Sequence, residues 1–201
     1  MNKSHYSQLH TVASYYDSLV KKYGHDPRAC DYGRPESQLI KFNILYQGIL
    51  TDGKTILDVG CGFADFYTFL EARTNSVKYT GIDISDQMIN HARQIHPNLD
   101  IRKLNILKDD PGRFDYIVAN GIFYLLGRNA WTMMKQLVSR MYDLSEEGIA
   151  FNSLSIFSPE KETGEFYADP GKVMNYCLSS SKKVVLRHDY HERDFSVFMY
   201  K

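Results

Sequence analysis

From Thr55 onward the apolar residues alternate between two spacings. The short runs TILDV, KYTGID, LDIRKL, FDYIVAN and IAFNSL read as strands, and the segments between them, ADFYTFLEAR, SDQMINHARQIH and AWTMMKQLVSRMYDL, carry apolar residues at helical spacing. Strands that alternate with amphipathic helices predict an α/β fold with a doubly wound, mostly parallel sheet covered on both faces. Right-handed crossovers leave few topologies for such a chain. The tail breaks the rhythm, because KKVVLRHDY and DFSVFMYK are two strand-like runs joined by a few charged residues. They predict a hairpin at the sheet edge, with the first of its strands parallel to the rest and the last antiparallel.

The chain before Thr55 reads differently. Leu9, Val12, Ala13, Tyr16, Leu19, Val20 and Tyr23 have helical spacing, the stretch GHDPRACDYGRPE interrupts it, and a second helix is expected from Ser37 to Tyr46, stopped near Gly48. Ligands of open α/β sheets bind outside the carboxyl ends of the strands, so helices in excess of the βα units are candidates for a lid over that edge. We therefore divide the chain into an N-terminal helical cap, residues 1–36, and a main domain, residues 37–201. The plainer alternative is a helix pair that only covers a sheet edge.

Composition narrows the setting. The chain of 201 residues is 43% hydrophobic and 13% aromatic, enough for one well-packed domain. No stretch approaches the roughly 18 consecutive apolar residues of a membrane span, and MNKSHYSQLHTVASYY lacks the apolar core of a signal peptide. A cytoplasmic protein without membrane contact is the expectation. The three cysteines, Cys30, Cys61 and Cys177, form no CxxC pair and read as reduced thiols. The 24 basic and 24 acidic side chains balance, so no overall field steers the molecule to a phosphate backbone and no nucleic-acid partner is expected. Oligomeric state is expected to be monomer or weak homodimer.

The chemistry centres on ILDVGCGFADF, where Gly60 and Gly62 follow the first strand and open a helix. Missing Cβ atoms there let a backbone approach a ligand closely. A dinucleotide fingerprint needs a third glycine where this chain has Asp65, and a carboxylate is a poor host for a pyrophosphate. That disfavours a nicotinamide-dependent oxidoreductase. Asp65 and Asp58 together favour a positively charged nucleoside. Asp83, ending the second strand about 20 residues beyond the glycines, is placed to accept hydrogen bonds from both ribose hydroxyls.

These residues resemble the class I S-adenosylmethionine-dependent methyltransferases. ILDVGCGFADF is similar to their first motif, YTGIDISDQMI to their second, DIRKLNIL to the adenine-side segment after the third strand, and FDYIVANGIFYLL to the fourth-strand motif. The resemblance covers roughly Ser37 to Lys201 and implies a Rossmann-like seven-stranded sheet with an antiparallel C-terminal hairpin, and S-adenosylmethionine as cofactor. It implies that Gly60, Cys61 and Gly62 back the methionine portion, Asp83 holds the ribose, and Ile84, Asn105 and Ile106 frame the adenine. Asn120 and Gly121 would sit beside the sulfonium, and Gln38 is a candidate for the methionine carboxylate. VANGIF departs from the NPPY and DPP variants of amino-group methyltransferases, which weakens methylation of nucleic-acid bases.

Methyl transfer from a sulfonium chiefly requires alignment of the nucleophile and exclusion of water, and a hydroxyl acceptor also needs a base. His188, with Asp189 beside it, ends the apolar run VVL where the chain should emerge at the active edge, and is the expected base. An ordinary turn histidine is the alternative. His188, Asp189 and His191 are not expected to hold a metal, since no further ligand cluster is evident. Tyr15, Tyr16, Tyr23, Phe123, Tyr124 and Tyr167 are candidates to wall an acceptor pocket, and residues 155–169, which interrupt the βα rhythm, are candidates for specificity. The expected activity is methylation of a small organic acceptor, at oxygen. The alternatives are N- or C-methylation and a cofactor-binding protein without turnover.

Overall fold

A computed structural model describes residues 3–31, 35–74 and 76–201. Among the described residues the helices and strands are, in order, α1 (Lys3–Tyr23), α2 (Pro35–Gln47), β1 (Thr55–Val59), α3 (Asp65–Glu71), β2 (Lys78–Asp83), α4 (Asp86–Ile95), β3 (Asp100–Lys103), β4 (Phe114–Ala119), α5 (Ala130–Leu144), β5 (Ser145–Leu154), α6 (Pro170–Ser180), β6 (Lys183–Arg187) and β7 (Asp194–Tyr200). The seven strands form one sheet in the order β3-β2-β1-β4-β5-β7-β6. β1 to β5 pair in parallel, and β7 inserts antiparallel between β5 and β6. Being antiparallel to β7, the edge strand β6 points the same way as β1 to β5, as the sequence predicted.

Alternation along the strands builds two cores. Leu57, Val59, Ile117 and Ala119 face one side, where Met133, Leu137 and Met141 of α5 and Val173 of α6 cover them. Ile56, Tyr116 and Val118 face the other, against Phe42 and Leu45 of α2 and Phe66 and Phe69 of α3. Successive Cβ atoms of a strand point to opposite faces, so a strand buried on both sides reads as a continuous apolar run. A third, smaller cluster of Val20, Ala29, Phe63 and Met88 ties α1 to the glycine turn and to α4. Asp17 of α1 adds polar contacts there, accepting from Ser85 Oγ (2.5 Å) and the Gln87 amide (3.1 Å).

Two features differ from the sequence reading. Helix α6 was not anticipated; its start is fixed by Asp169, whose Oδ1 accepts from the Gly171 and Lys172 amides (2.8 and 3.1 Å), with Pro170 in the first turn. The second N-terminal helix begins at Pro35 and ends at Gln47, slightly longer than predicted. Tyr32, Gly33 and Arg34, in the stretch expected to separate cap from main domain, lie outside the described residues.

Candidate functional site

At the carboxyl end of β1 the chain turns through Gly60 (φ +73°) and Gly62 (φ +55°) and folds back on β2, the Gly60 and Cys61 amides donating to the Ile82 carbonyl (2.8 and 3.0 Å). The turn needs glycine. A Cβ on Gly60 would lie 2.4 Å from Ile122 Cγ2, besides the strain of a positive φ. The turn presents its backbone to a cavity of about 360 Å³ lined by all eleven residues expected to hold the cofactor: Gln38, Asp58, Gly60, Cys61, Gly62, Asp83, Ile84, Asn105, Ile106, Asn120 and Gly121. That volume is in the range of small-ligand sites.

The carboxylates of the cavity are held by the fold. Asp83 accepts from the Gly62 amide at Oδ2 (3.0 Å) and the Ser85 amide at Oδ1 (2.9 Å), one bond to each oxygen. A carboxylate oxygen takes more than one donor, so hydroxyls can still bind there. Burial raises the Asp83 pKa, against the lowering effect of those amides. Asp58, behind the turn, is buried and accepts from Tyr79 Oη (2.6 Å); burial pushes its pKa up to about 7, with the nearby Asp83 and Asp65 charges adding to the rise. Asp65 starts α3, where it meets His25 Nε2 (3.0 Å) and Gln38 Nε2 (3.2 Å). A glycine cradle ringed by carboxylates fits a nucleoside that carries positive charge and free ribose hydroxyls.

At the end of β4 a second polar group forms. Asn152 of β5 accepts from the Gly121 amide at Oδ1 (2.8 Å) and donates from Nδ2 to Asn120 Oδ1, so the orientation of both side-chain amides is set. Asn105 caps its own loop, its Oδ1 accepting from the Leu107 amide (3.0 Å).

His188 and Asp189 stand outside the cavity lining. His188 Nε2 lies 2.8 Å from Ser155 Oγ and its ring stacks on Phe195, while Asp189 forms a two-pronged pair with Arg187 (2.8 and 2.9 Å) at the surface. The histidine on the wall is His191. Its Nδ1 is 3.1 Å from Asp194 Oδ2 and 3.2 Å from the Arg193 amide, and its Nε2 is 3.3 Å from Ser37 Oγ. Asp194 is buried and also pairs with Lys41 (3.1 Å). The signal missed in the sequence was the spacing of HERD, His191 and Asp194 at i and i+3 just before β7.

Of the aromatic candidates, Tyr16, Phe123 and Tyr124 line the cavity. Tyr16 Oη meets Tyr124 Oη (2.6 Å), and Tyr124 and Tyr15 both donate to Asp31 Oδ2 (2.8 and 2.9 Å). Tyr23 lies under Arg28, and Tyr167 donates to Glu165. Among the described residues, no group of three or more His, Cys, Asp or Glu side chains is arranged to hold a metal ion.

The chain is similar to known proteins in sequence and in fold. A family model described as a methyltransferase domain matches residues 57–148, from β1 into β5. The putative methyltransferase Rv1506c of Mycobacterium tuberculosis is 30% identical over 160 residues, covering 75% of this chain and 95% of that protein. Among solved structures, magnesium protoporphyrin IX methyltransferase from Synechocystis PCC 6803 with bound S-adenosylhomocysteine superposes with a TM-score of 0.70 at 12% identity, over 96% of this chain and 99% of that one. The N-methyltransferase NodS from Bradyrhizobium japonicum WM9 with S-adenosylhomocysteine gives 0.67 at 18% identity, over 93% and 98%.

Proposed function

Because the chain belongs to the class I S-adenosylmethionine-dependent methyltransferases, we propose that it methylates an oxygen of a small organic acceptor, with His191 as the general base. The observation that carries this reading is a histidine on the cavity wall backed by a buried carboxylate, with Nδ1 3.1 Å from Asp194. The surroundings serve both protonation states of the ring. In the neutral tautomer that can act as a base, Nδ1 carries the proton and faces the Asp194 carboxylate (3.1 Å), which leaves Nε2 to take the acceptor's proton; the same carboxylate then stabilises the cation that forms.

Bound S-adenosylmethionine supplies an electrophilic methyl group on a sulfonium. In this reading Gly60, Cys61 and Gly62 back its methionine portion, Asp83 accepts its ribose hydroxyls, and Ile84, Asn105 and Ile106 frame the adenine. Gln38 reaches the amino-acid end, and Asn120 and Gly121, fixed by Asn152, border the transfer point. The sheet order supports a division of labour: these residues stand over β3, β2, β1 and β4, whereas Ser153, Leu154, His191 and Arg193 stand over β5 and β7. Tyr16, Phe123 and Tyr124 close the space between and exclude water.

The test supplies the protein with methyl-labelled cofactor and a fractionated metabolite extract, and identifies the labelled product by mass spectrometry. An O-methylated product, and a His191→Ala variant that binds S-adenosylhomocysteine normally but turns over about 10² to 10⁴ more slowly, support the reading. An N- or C-methylated product overturns the oxygen assignment. Wild-type turnover in His191→Ala removes the base.

A further inference from the structure

In the acceptor half of the cavity, the Arg193 guanidinium has hydrogen-bonding capacity that the described residues leave unmet. Arg193 precedes β7 and lines the wall. Its Nε is buried without a hydrogen-bond partner. Its terminal NH2 reaches Tyr167 Oη at 3.5 Å, Glu165 at 3.6 Å and Glu162 at 3.8 Å, all at or beyond the limit of a hydrogen bond. The two glutamates are otherwise engaged or distant: Glu165 accepts the Tyr167 hydroxyl proton, and Glu162 is largely exposed. By contrast, Lys41 in this half lies 3.1 Å from the Asp194 carboxylate.

A guanidinium carries five N–H donors in a fork that matches a planar oxyanion, and leaving a buried charged donor unpaired is costly. A cavity wall that carries such a group implies a partner for it. Glu165, 3.6 Å from the guanidinium, lowers the local positive charge without giving the two-pronged geometry an oxyanion gives. It belongs to the segment of residues 155–169, which closes this half of the cavity and interrupts the βα repeat.

We propose that Arg193 is the recognition residue for the methyl acceptor, and that the acceptor carries an oxyanion, a carboxylate or a phosphate monoester, which takes the place of Glu165 against the guanidinium. The inference rests on the methyl-transfer reading of the same cavity. It refines the substrate to a hydroxylated acid, whose hydroxyl is then held on the same side of the cavity as His191.

Binding alone tests it, without turnover. Protein saturated with S-adenosylhomocysteine is titrated with benzoate, phenyl phosphate and neutral benzamide, by calorimetry and by the NMR signal of the Arg193 Nε–H. Benzoate or phenyl phosphate should bind at least roughly tenfold tighter than benzamide and move the Nε–H signal downfield, and whichever binds tighter names the class of oxyanion. Arg193→Gln and Arg193→Lys should both abolish the preference, the latter because an ammonium is a point charge without the fork. Glu165→Gln should strengthen anion binding by removing the competitor. Equal binding of the three probes, no binding of either anion at millimolar concentration, or weaker anion binding in Glu165→Gln would each overturn the proposal. Loss of S-adenosylhomocysteine binding in the unmodified protein would instead overturn the underlying cofactor reading, so the two failures are distinct.

Discussion

Asp58 shows how one buried carboxyl links burial to ligand charge. The residue is required by position, at the end of the apolar run TILDV directly before the glycine turn, yet burial holds its pKa at about 7. A cation bound beside it favours the ionised form, so below that pH binding must also release a proton. The affinity for S-adenosylmethionine relative to the uncharged-sulfur product should therefore rise as pH increases through about 7, and Asp58→Asn should flatten the ratio. A pH-independent ratio in the wild type, measured by calorimetry, would contradict this. The stability effect has the opposite slope. A carboxyl whose folded pKa is raised stabilises the fold fully only below its ordinary value of 3.8 and withdraws that support as pH rises to about 7. Asp58→Asn should thus raise the melting temperature more at pH 8 than at pH 5. Asp83 makes a simpler prediction: Asp83→Ala should weaken cofactor binding at least roughly tenfold, since hydrogen bonds to a charged group contribute about 1.5 to 3 kcal/mol each. Asp58, Asp83 and the glycines were legible because strand ends and turns fix where such residues point. His191 was not. Residues 188–193 connect β6 to β7 without regular structure, so no period says which side chain faces inward, and His188 turns onto Phe195 while His191 reaches the cavity.

Among the elements, α1 and α6 carry the least predictable placement. The amphipathic pattern of α1 showed a helix with an inward face but not what that face would meet. The structure docks it through Gln8 on the Leu125 carbonyl (2.8 Å), Asp17 on the start of α4, and the Tyr15, Tyr16, Tyr124 and Asp31 group at the cavity mouth. These bonds span α1, the segment after Cys30 and the loop after β4. A cofactor that also packs beneath Tyr16 would add contacts to this arrangement, and we propose on that ground that α1 acts as a lid. Hydrogen exchange over residues 8–23 should slow when S-adenosylhomocysteine is added, and the Tyr16→Phe, Tyr124→Phe double variant should release the ligand faster. Exchange that is slow and identical with and without ligand would make α1 static structure. Helix α6 was missed because a polar segment precedes it and its apolar residues are few, yet Asp169-Pro170 is a capping signal written in the sequence. Asp169→Ala should lower stability by about 1 kcal/mol in urea unfolding.

For the whole molecule, the sheet order puts early and late parts of the chain side by side. β7, last in sequence, lies inside the sheet next to β5, and α2, which precedes every strand, is held to its start by the Lys41–Asp194 pair. Neither pairing could be read from local pattern, because a tertiary ion pair leaves no periodic trace; only the closing hairpin was visible. The pair sits in a nearly dry environment, with side-chain exposures of 11% and 3%. Burial pushes the Asp194 pKa up, but the His191 hydrogen bond and the Lys41 charge outweigh it and hold the carboxyl below its ordinary value. A depressed folded pKa means that Asp194 stabilises the fold above 3.8 and that this support is lost as pH falls below that value. Removing one partner strands the other charge in the interior. Asp194→Asn and Lys41→Met should each destabilise the protein by about 3 to 5 kcal/mol, while the double variant, which buries neither ion, should lose clearly less than the sum. Urea unfolding of the four proteins closes the cycle. Additive losses would mean that α2 and β7 are held by packing alone, and that His191 keeps its place on the cavity wall without the buried pair behind it.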